Sequence, residues 1–183
     1  MGLSRRNSFK YLFYLVLFPI LGGMMYATKW AMQGLPNIHL IGFFIMAFTA
    51  VYRAYALVPI YVFVFLCGVF DGFGTWWVPY LYVWTILWAV SMLLPKRLFE
   101  SKWAYVVCPA VNGLFGVLFG VLYAPGQALL YGYDLQQTVA WIGTGFLFDI
   151  YHGIGNFAAG FLVPPFALLL FRLEKIYAKK GSR

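Results

Sequence analysis

Long apolar runs, interrupted by only a few charged residues, constrain the fold of this chain more than any other feature. Of its 183 residues, 63% are apolar and only 10% are charged, whereas a soluble domain usually carries about 25% charged residues. A helix that crosses a bilayer needs about 20 mainly apolar residues. The sequence therefore predicts an all-α integral membrane protein that forms a single transmembrane domain over residues 1–183.

Turn residues and charges divide the apolar runs into six predicted membrane spans. The spans cover about 11–33, 39–52, 56–70, 76–94, 103–123 and 149–173, between a basic lead, 1–10, and a basic tail, 174–183. The interrupted stretch 124–148 is interpreted as an outer loop with short helical or re-entrant pieces, which are tolerated where protein covers them. The pair Pro164-Pro165 predicts a kink in the last span.

The basic residues predict the orientation of this bundle. With six spans both termini share one side, and twelve of the thirteen basic residues fall there: Arg5, Arg6, Lys10, Arg53, Lys96, Arg97, Lys102, Arg172, Lys175, Lys179, Lys180 and Arg183. Lys and Arg accumulate in cytoplasmic loops, so we expect both termini in the cytoplasm and no nucleic-acid partner. Lys29 lies near the outer surface, where it could reach the interface, meet an anionic ligand group or pair with Asp149.

Small residues at helical spacing indicate faces where helices can approach closely. Gly23, Ala27 and Ala31 form one such stripe on the first span, and Gly116 and Gly120 form a GxxxG pair on the fifth. Cys67 and Cys108 lie inside apolar runs and are expected to act as small apolar side chains.

One polar stripe stands out near the end of the chain. Asp149, His152 and Asn156 are spaced i, i+3 and i+7, so on a helix they share one face. In a membrane such a face turns towards a cavity or a partner. The alternative is that Asp149 caps the start of its helix while His152 and Asn156 bond to neighbouring helices.

Polar and aromatic residues gather at the outer end of the predicted bundle, where aromatic walls with a few polar groups suit a small-molecule site. The candidate substrate-binding residues are Asn37, His39, Trp76, Trp77, Tyr80, Asn112, Tyr123, Trp141, Asp149, His152 and Asn156. An interfacial aromatic belt would explain the tryptophans and tyrosines equally well, but not the polar residues inside spans.

Catalytic signatures are missing from the sequence. It contains no GxxxxGK[ST], HExxH, CxxC or GxSxG motif, and its carboxylates are few and scattered. We therefore expect no enzyme activity, no metal site and no cofactor.

Four short motifs in order resemble a known family. They are Leu35-Pro36-Asn37-Ile38-His39-Leu40, Tyr80-Leu81-Tyr82-Val83-Trp84 after Trp76-Trp77, Asn112-Gly113-Leu114-Phe115-Gly116, and an FDxxHxxGN-like run from Phe148 to Asn156. This series is similar to the S components of energy-coupling factor (ECF) transporters, although His39 stands where that family often has an acid. The family's AxxxA on the first helix matches Ala27 and Ala31 in letters, but nearer the outer end.

The resemblance implies a six-helix subunit of a prokaryotic plasma membrane that captures a vitamin-like molecule from outside. Its partners would be a membrane coupling subunit, docked on the small-residue stripe, and two cytoplasmic ATPases. The ring compound could be a corrinoid, since imidazole binds metals well, although ordinary hydrogen bonding explains the histidines more simply. Two alternatives remain: a membrane enzyme on a lipid or isoprenoid with Asp149 and His152 as acid and base, and a structural protein.

The orientation can be tested by cysteine labelling. A membrane-impermeant reagent applied from outside should modify a single cysteine placed at Gly72 or Asp134, but not one at Lys96, because the positive-inside rule puts Lys96 in the cytoplasm. Modification of the cysteine at Lys96 in intact cells would contradict the six-span arrangement.

Overall fold

The computed structural model of the protein describes residues 2–35 and 37–180, with side chains over 11–35 and 37–177. Pro36 of the predicted first turn, Met1 of the basic lead and 181–183 of the basic tail lie outside these residues. The described chain is built from helices: α1 (Gly2–Ala31), α2 (Ile41–Tyr52), a short 3-10 helix (Arg53–Ala56), α3 (Leu57–Asp71), α4 (Tyr80–Leu93), α5 (Lys96–Phe99), α6 (Ala104–Val117), α7 (Phe119–Tyr131), α8 (Leu135–Gly160) and α9 (Val163–Lys180). The all-α prediction is confirmed.

Several helices have the length and composition to cross a membrane. Among the described residues these are Tyr11–Ala31, Ile41–Asp71 and Ala104–Tyr131, and the bent pair α8 and α9 makes a fourth if it counts as one span. The helix Tyr80–Leu93 is apolar but shorter. These long apolar helices are those of a multi-pass membrane protein.

The run from Ile41 to Asp71 reverses direction at its 3-10 helix. His39, just before α2, and Phe63, in the middle of α3, both pack against the ring of Trp84. The start of α2 and the middle of α3 therefore lie at the same level of the bundle. Arg53 takes a positive φ of 54° at the corner. Its guanidinium donates to the carbonyls of Met92 and Leu94 at the end of α4, which compensates for the backbone strain.

Helix α2 lies at the centre of the bundle. All twelve of its residues are buried, against α4 and α9 above all. A helix that is apolar on every side belongs in the interior. Helices α1, α4, α5, α6, α8 and α9 all contact α2, so it forms the centre around which they pack.

The stretch 124–148, interpreted as an outer loop, is instead mainly helical. It contains the end of α7 and more than half of α8, separated by a short turn. Gly132 ends α7 in a left-handed conformation, and Asp134 opens α8 with a capping box to Gln137. Gly132 and Asp134 therefore mark only the short connection between α7 and α8. Pro125 lies within α7 and does not interrupt it. The helix that contains Asp149 begins at Leu135, and α4 begins at Tyr80 after a turn that includes Trp76.

The predicted kink before the end of the chain is confirmed. The axes of α8 and α9 differ by 46°, and the break falls at residues 161–162, directly before Pro164-Pro165. The two prolines occupy the first turn of α9, where a backbone N–H needs no helical partner.

The helix pair α6–α7 and α8 pack antiparallel along a glycine seam. A Cβ atom added at Gly116 would lie 2.7 Å from the Cα of Gly153, and one at Gly160 would collide with the backbone of Pro109. A Cβ atom at Gly120 would instead collide with the side-chain carboxylate of Asp149. The GxxxG prediction is therefore confirmed: these glycines let the two backbones touch.

This seam generates a stability prediction. Gly116→Ala should destabilise the protein by about 1–3 kcal/mol, because its methyl group meets backbone that cannot rotate away. Gly143→Ala is the matched control on α8, since a Cβ there meets nothing within 4 Å. Thermal unfolding of the detergent-solubilised variants measures both changes, and equal stability of Gly116→Ala and the wild type would contradict the seam.

Candidate functional site

The polar stripe on α8 is buried, as its spacing predicts. Asp149, His152 and Asn156 are 6%, 2% and 1% exposed. The residues between them on the other faces, Tyr151 and Ile154, are 56% and 63% exposed. The three polar side chains therefore turn into the bundle, while the opposite side of α8 presents apolar groups to its surroundings.

Asp149 links two helices. It lies within α8 and does not cap that helix, contrary to the alternative reading, because α8 begins at Asp134 and Leu135. Its Oδ1 accepts a hydrogen bond of 3.1 Å from the backbone N–H of Gly120, in the first turn of α7. Leu118 opens α7 without a side-chain cap, so Asp149 supplies from another helix the acceptor that a helix start needs.

Asn112 joins α6 to the same stripe. Its Nδ2 donates a hydrogen bond of 2.7 Å to the carbonyl of Asn156, and its Oδ1 lies where a side chain at Gly42 would have to pass. Asn112 is completely buried. Glycine at position 42 therefore lets α2 approach α6 over this amide.

His39 and His152 form the centre of the cluster. Their ring centroids are 4.7 Å apart with the rings nearly perpendicular, and Phe119 packs edge-on against His152 at 4.8 Å. Nδ1 of His39 accepts from the backbone N–H of Ile41 at 3.4 Å. His39 is half-buried and lies directly before α2.

Five buried polar atoms in this cluster have no hydrogen-bond partner among the described residues. They are Trp84 Nε1, Asn112 Oδ1, His152 Nε2, Asn156 Nδ2 and Asn156 Oδ1. Leaving a buried donor or acceptor unpaired costs about 1–3 kcal/mol, and such atoms are rare in native proteins. Their concentration on four neighbouring residues indicates that a further polar group belongs there.

Aromatic rings border the cluster on one side. Trp84 contacts Tyr80 and Phe119, and Tyr80 in turn packs edge-on against Trp76. Tyr123 stacks on Trp141 with centroids 6.0 Å apart, and its hydroxyl donates to the carbonyl of Trp76. The structure thus brings nine of the eleven candidate residues into one continuous assembly.

Two candidates lie apart from this assembly. Asn37 is exposed and takes a positive φ of 57° in the turn before α2. Trp77 packs against Phe73 and donates through Nε1 to the carbonyl of Val64 at 2.7 Å, so it joins α3 to the start of α4. Both residues therefore stabilise the course of the backbone and do not belong to the cluster.

Trp84 and Phe119 belong to the cluster but were not among the candidate residues. Trp84 lies one helical turn after Tyr80, and Phe119 one turn before Tyr123. Their apolar setting made them indistinguishable from core residues in the sequence. The useful signal was helical spacing from a candidate aromatic residue.

The other singled-out residues have simpler surroundings. Lys29 pairs with Asp71 at 2.7 Å, a partner that none of its three expected roles had named. Cys67 and Cys108 are free and buried, as expected. Ala27 and Ala31 are exposed, and a side chain at Gly23 would meet nothing within 4 Å, so the small-residue stripe faces away from the bundle.

The cluster is closed in this conformation. A cavity of ≈ 1020 Å³ lies instead at the opposite end of the bundle, near Arg53 and Lys96. No group of three or more His, Cys, Asp or Glu side chains in the described part of the chain could hold a metal ion. The arrangement can bind a polar molecule after local opening, through uncharged donors and acceptors between aromatic rings.

Comparison with known proteins identifies no relative. No protein-family model, no curated protein and no solved structure matches this chain.

The role of Asp149 can be separated from ligand binding. Asp149→Ala should lower the free energy of unfolding by about 1–3 kcal/mol, because the Gly120 N–H then loses its side-chain acceptor inside the bundle. Asp149→Asn should retain most of that stability, since its carbonyl oxygen can still accept. Chemical unfolding of both variants without ligand is the measurement, and similar losses in both would contradict the hydrogen-bond assignment.

Proposed function

We propose that this protein is the substrate-capturing membrane subunit of an ECF-type importer. It binds a vitamin or related ring-containing micronutrient at the buried cluster and passes it inward with the help of a coupling subunit and two ATPases. The proposal combines the ordered motifs with the position of their residues: His39, Asn112, Asp149, His152 and Asn156 come from three different motifs and lie together.

The unpartnered atoms of Trp84, Asn112, His152 and Asn156 carry this proposal. A bundle that only needed to be stable would fill this space with apolar side chains, which pack without leaving polar atoms unpaired. Functional sites commonly accept such a loss of stability in exchange for binding. A ligand with matching donors and acceptors would restore the lost stability when it binds.

The chemistry of the cluster favours a flat, uncharged ring compound. Trp84 Nε1 and Asn156 Nδ2 are donors, whereas the side-chain oxygens of Asn112 and Asn156 are acceptors. The cluster contains no cationic side chain to neutralise a carboxylate or a phosphate. Trp76, Tyr80 and Trp141 add faces on which a ring can stack. A corrinoid remains among the candidates through His39 or His152.

Binding requires an opening on the outer side, because the cluster is closed. The segment before α2, which holds His39, and the hairpin of α7 and α8 cover it. The segment before α2 and the hairpin both begin or end at turns rather than in the packed core. They can therefore move with the smallest loss of stability. Six spans with cytoplasmic termini would place this opening outside and leave Gly23, Ala27 and Ala31 facing the bilayer for the coupling subunit.

Mass spectrometry of the protein purified from its native membrane tests the proposal directly. We expect a retained small molecule with a conjugated ring, released on unfolding. Turnover of an added lipid or isoprenoid would instead favour a membrane enzyme. A protein that retains nothing and binds no compound in a vitamin panel would favour a structural role.

Asn156→Leu separates a binding site from a structural polar layer. Because both side-chain polar atoms of Asn156 lack partners, leucine, which has the same branched shape, should leave the ligand-free protein as stable or more stable, while the free energy of ligand binding weakens by about 1–3 kcal/mol. Thermal unfolding and a tryptophan-fluorescence titration with the retained compound measure the two effects.

Trp103→Phe provides the matched control, since Trp103 is exposed and lies outside the cluster. It should change neither stability nor affinity. Loss of stability in Asn156→Leu without a change in affinity would assign the cluster to structure and contradict the proposed site.

A further inference from the structure

A second site lies at the other end of the bundle. The cavity of ≈ 1020 Å³ opens between residues 11–19 of α1 and the corner between α2 and α3. Tyr11, Leu12 and Leu15 of α1 form one wall and are 75%, 58% and 71% exposed. Tyr55 and Val58 form the facing wall and are also exposed. We refer to this space as the basal groove.

Two cations border the basal groove. Arg53 donates to main-chain carbonyls at the end of α4, and Lys96 lies 3.4 Å from the carbonyl of Val51. Among the described side chains, neither cation forms an ion pair with a carboxylate. Glu174 also borders the groove, but its Oε2 accepts a 2.7 Å hydrogen bond from Tyr14. The groove therefore has two cations and one carboxylate beside an exposed apolar surface, so its polar side is positive on balance.

Tyrosines mark the boundary between these two environments. Tyr11, Tyr14, Tyr52 and Tyr55 all contribute to the lining. Tyrosine prefers the level of lipid headgroups, with its ring among acyl chains and its hydroxyl near water. The groove thus combines cationic groups, interfacial rings and aliphatic side chains. These match, in order, the phosphate, the headgroup boundary and the acyl chains of a phospholipid.

We propose that the basal groove binds one anionic phospholipid. Its phosphate lies near Lys96 and Arg53, and an acyl chain follows Leu12, Leu15 and Val58. Basic pockets between transmembrane helices hold anionic headgroups in this way. A partner helix would also cover apolar surface, but Lys96 and Arg53, which form no ion pair with a described carboxylate, favour an anion that the membrane itself supplies. This proposal does not depend on the transport function.

Native mass spectrometry tests the charged part of the site. The protein is solubilised in detergent with equal amounts of phosphatidylglycerol and phosphatidylcholine, and the retained lipid is identified. We expect one phosphatidylglycerol per protein, with retention about fivefold weaker in Lys96→Gln. Lys102→Gln is the matched control, because Lys102 is exposed and outside the groove, and it should retain lipid like the wild type.

A second pair of variants tests the apolar part. Val58→Trp should fill the groove and remove the retained lipid, whereas Val69→Trp places the same side chain at another exposed position of α3 and should leave retention unchanged. Circular dichroism verifies that each variant is folded, and Arg53 is left intact because it ties α4 to the corner.

Three results would overturn the proposal. Equal retention of phosphatidylcholine and phosphatidylglycerol by the wild type would exclude a site for anionic lipid. Equal losses in Lys96→Gln and Lys102→Gln would indicate diffuse surface charge. Unchanged lipid retention in Val58→Trp, together with loss of binding to a membrane partner, would assign the groove to a protein helix. None of these measurements involves a transported compound, so a negative result would not contradict the proposed transport function.

Discussion

Backbone contact between α8 and the α6–α7 pair is the constraint on which the rest of the bundle depends. The glycines of the seam each lower helix stability by about 1 kcal/mol relative to alanine, yet they allow a separation that no side chain would permit. At that separation Asp149 can reach the Gly120 N–H, and Asn112 can reach the Asn156 carbonyl. A wider gap would break both hydrogen bonds at once and admit water between the helices.

Local patterns in the sequence were sufficient to predict much of this structure. The abundance of apolar residues predicted an all-helical membrane protein, and the i, i+3, i+7 spacing placed Asp149, His152 and Asn156 on one buried face. The GxxxG pair and the Pro164-Pro165 kink were equally readable. Each of these features depends on residues within a few turns of one another, so helical geometry alone determines the outcome.

Features that depend on distant partners could not be read in this way. Pro125 and Gly132 suggested an irregular loop, but α8 packs along α7 and stabilises both as helices. The carboxylate of Asp149 caps a helix that is 29 residues away in sequence, although it looked like the start of its own helix. Trp84 carries an unpartnered Nε1 inside the cluster, and only the meeting of α2, α4 and α6 reveals that environment.

The complete burial of α2 has a consequence for membrane insertion. Its twelve residues extend about 18 Å at 1.5 Å per residue, well short of a hydrocarbon core of about 30 Å. The segment is therefore too short to act as a stop-transfer sequence on its own during membrane insertion. Together with α3 it forms a helical hairpin with Arg53 at the corner, so we expect the two arms to insert as one unit.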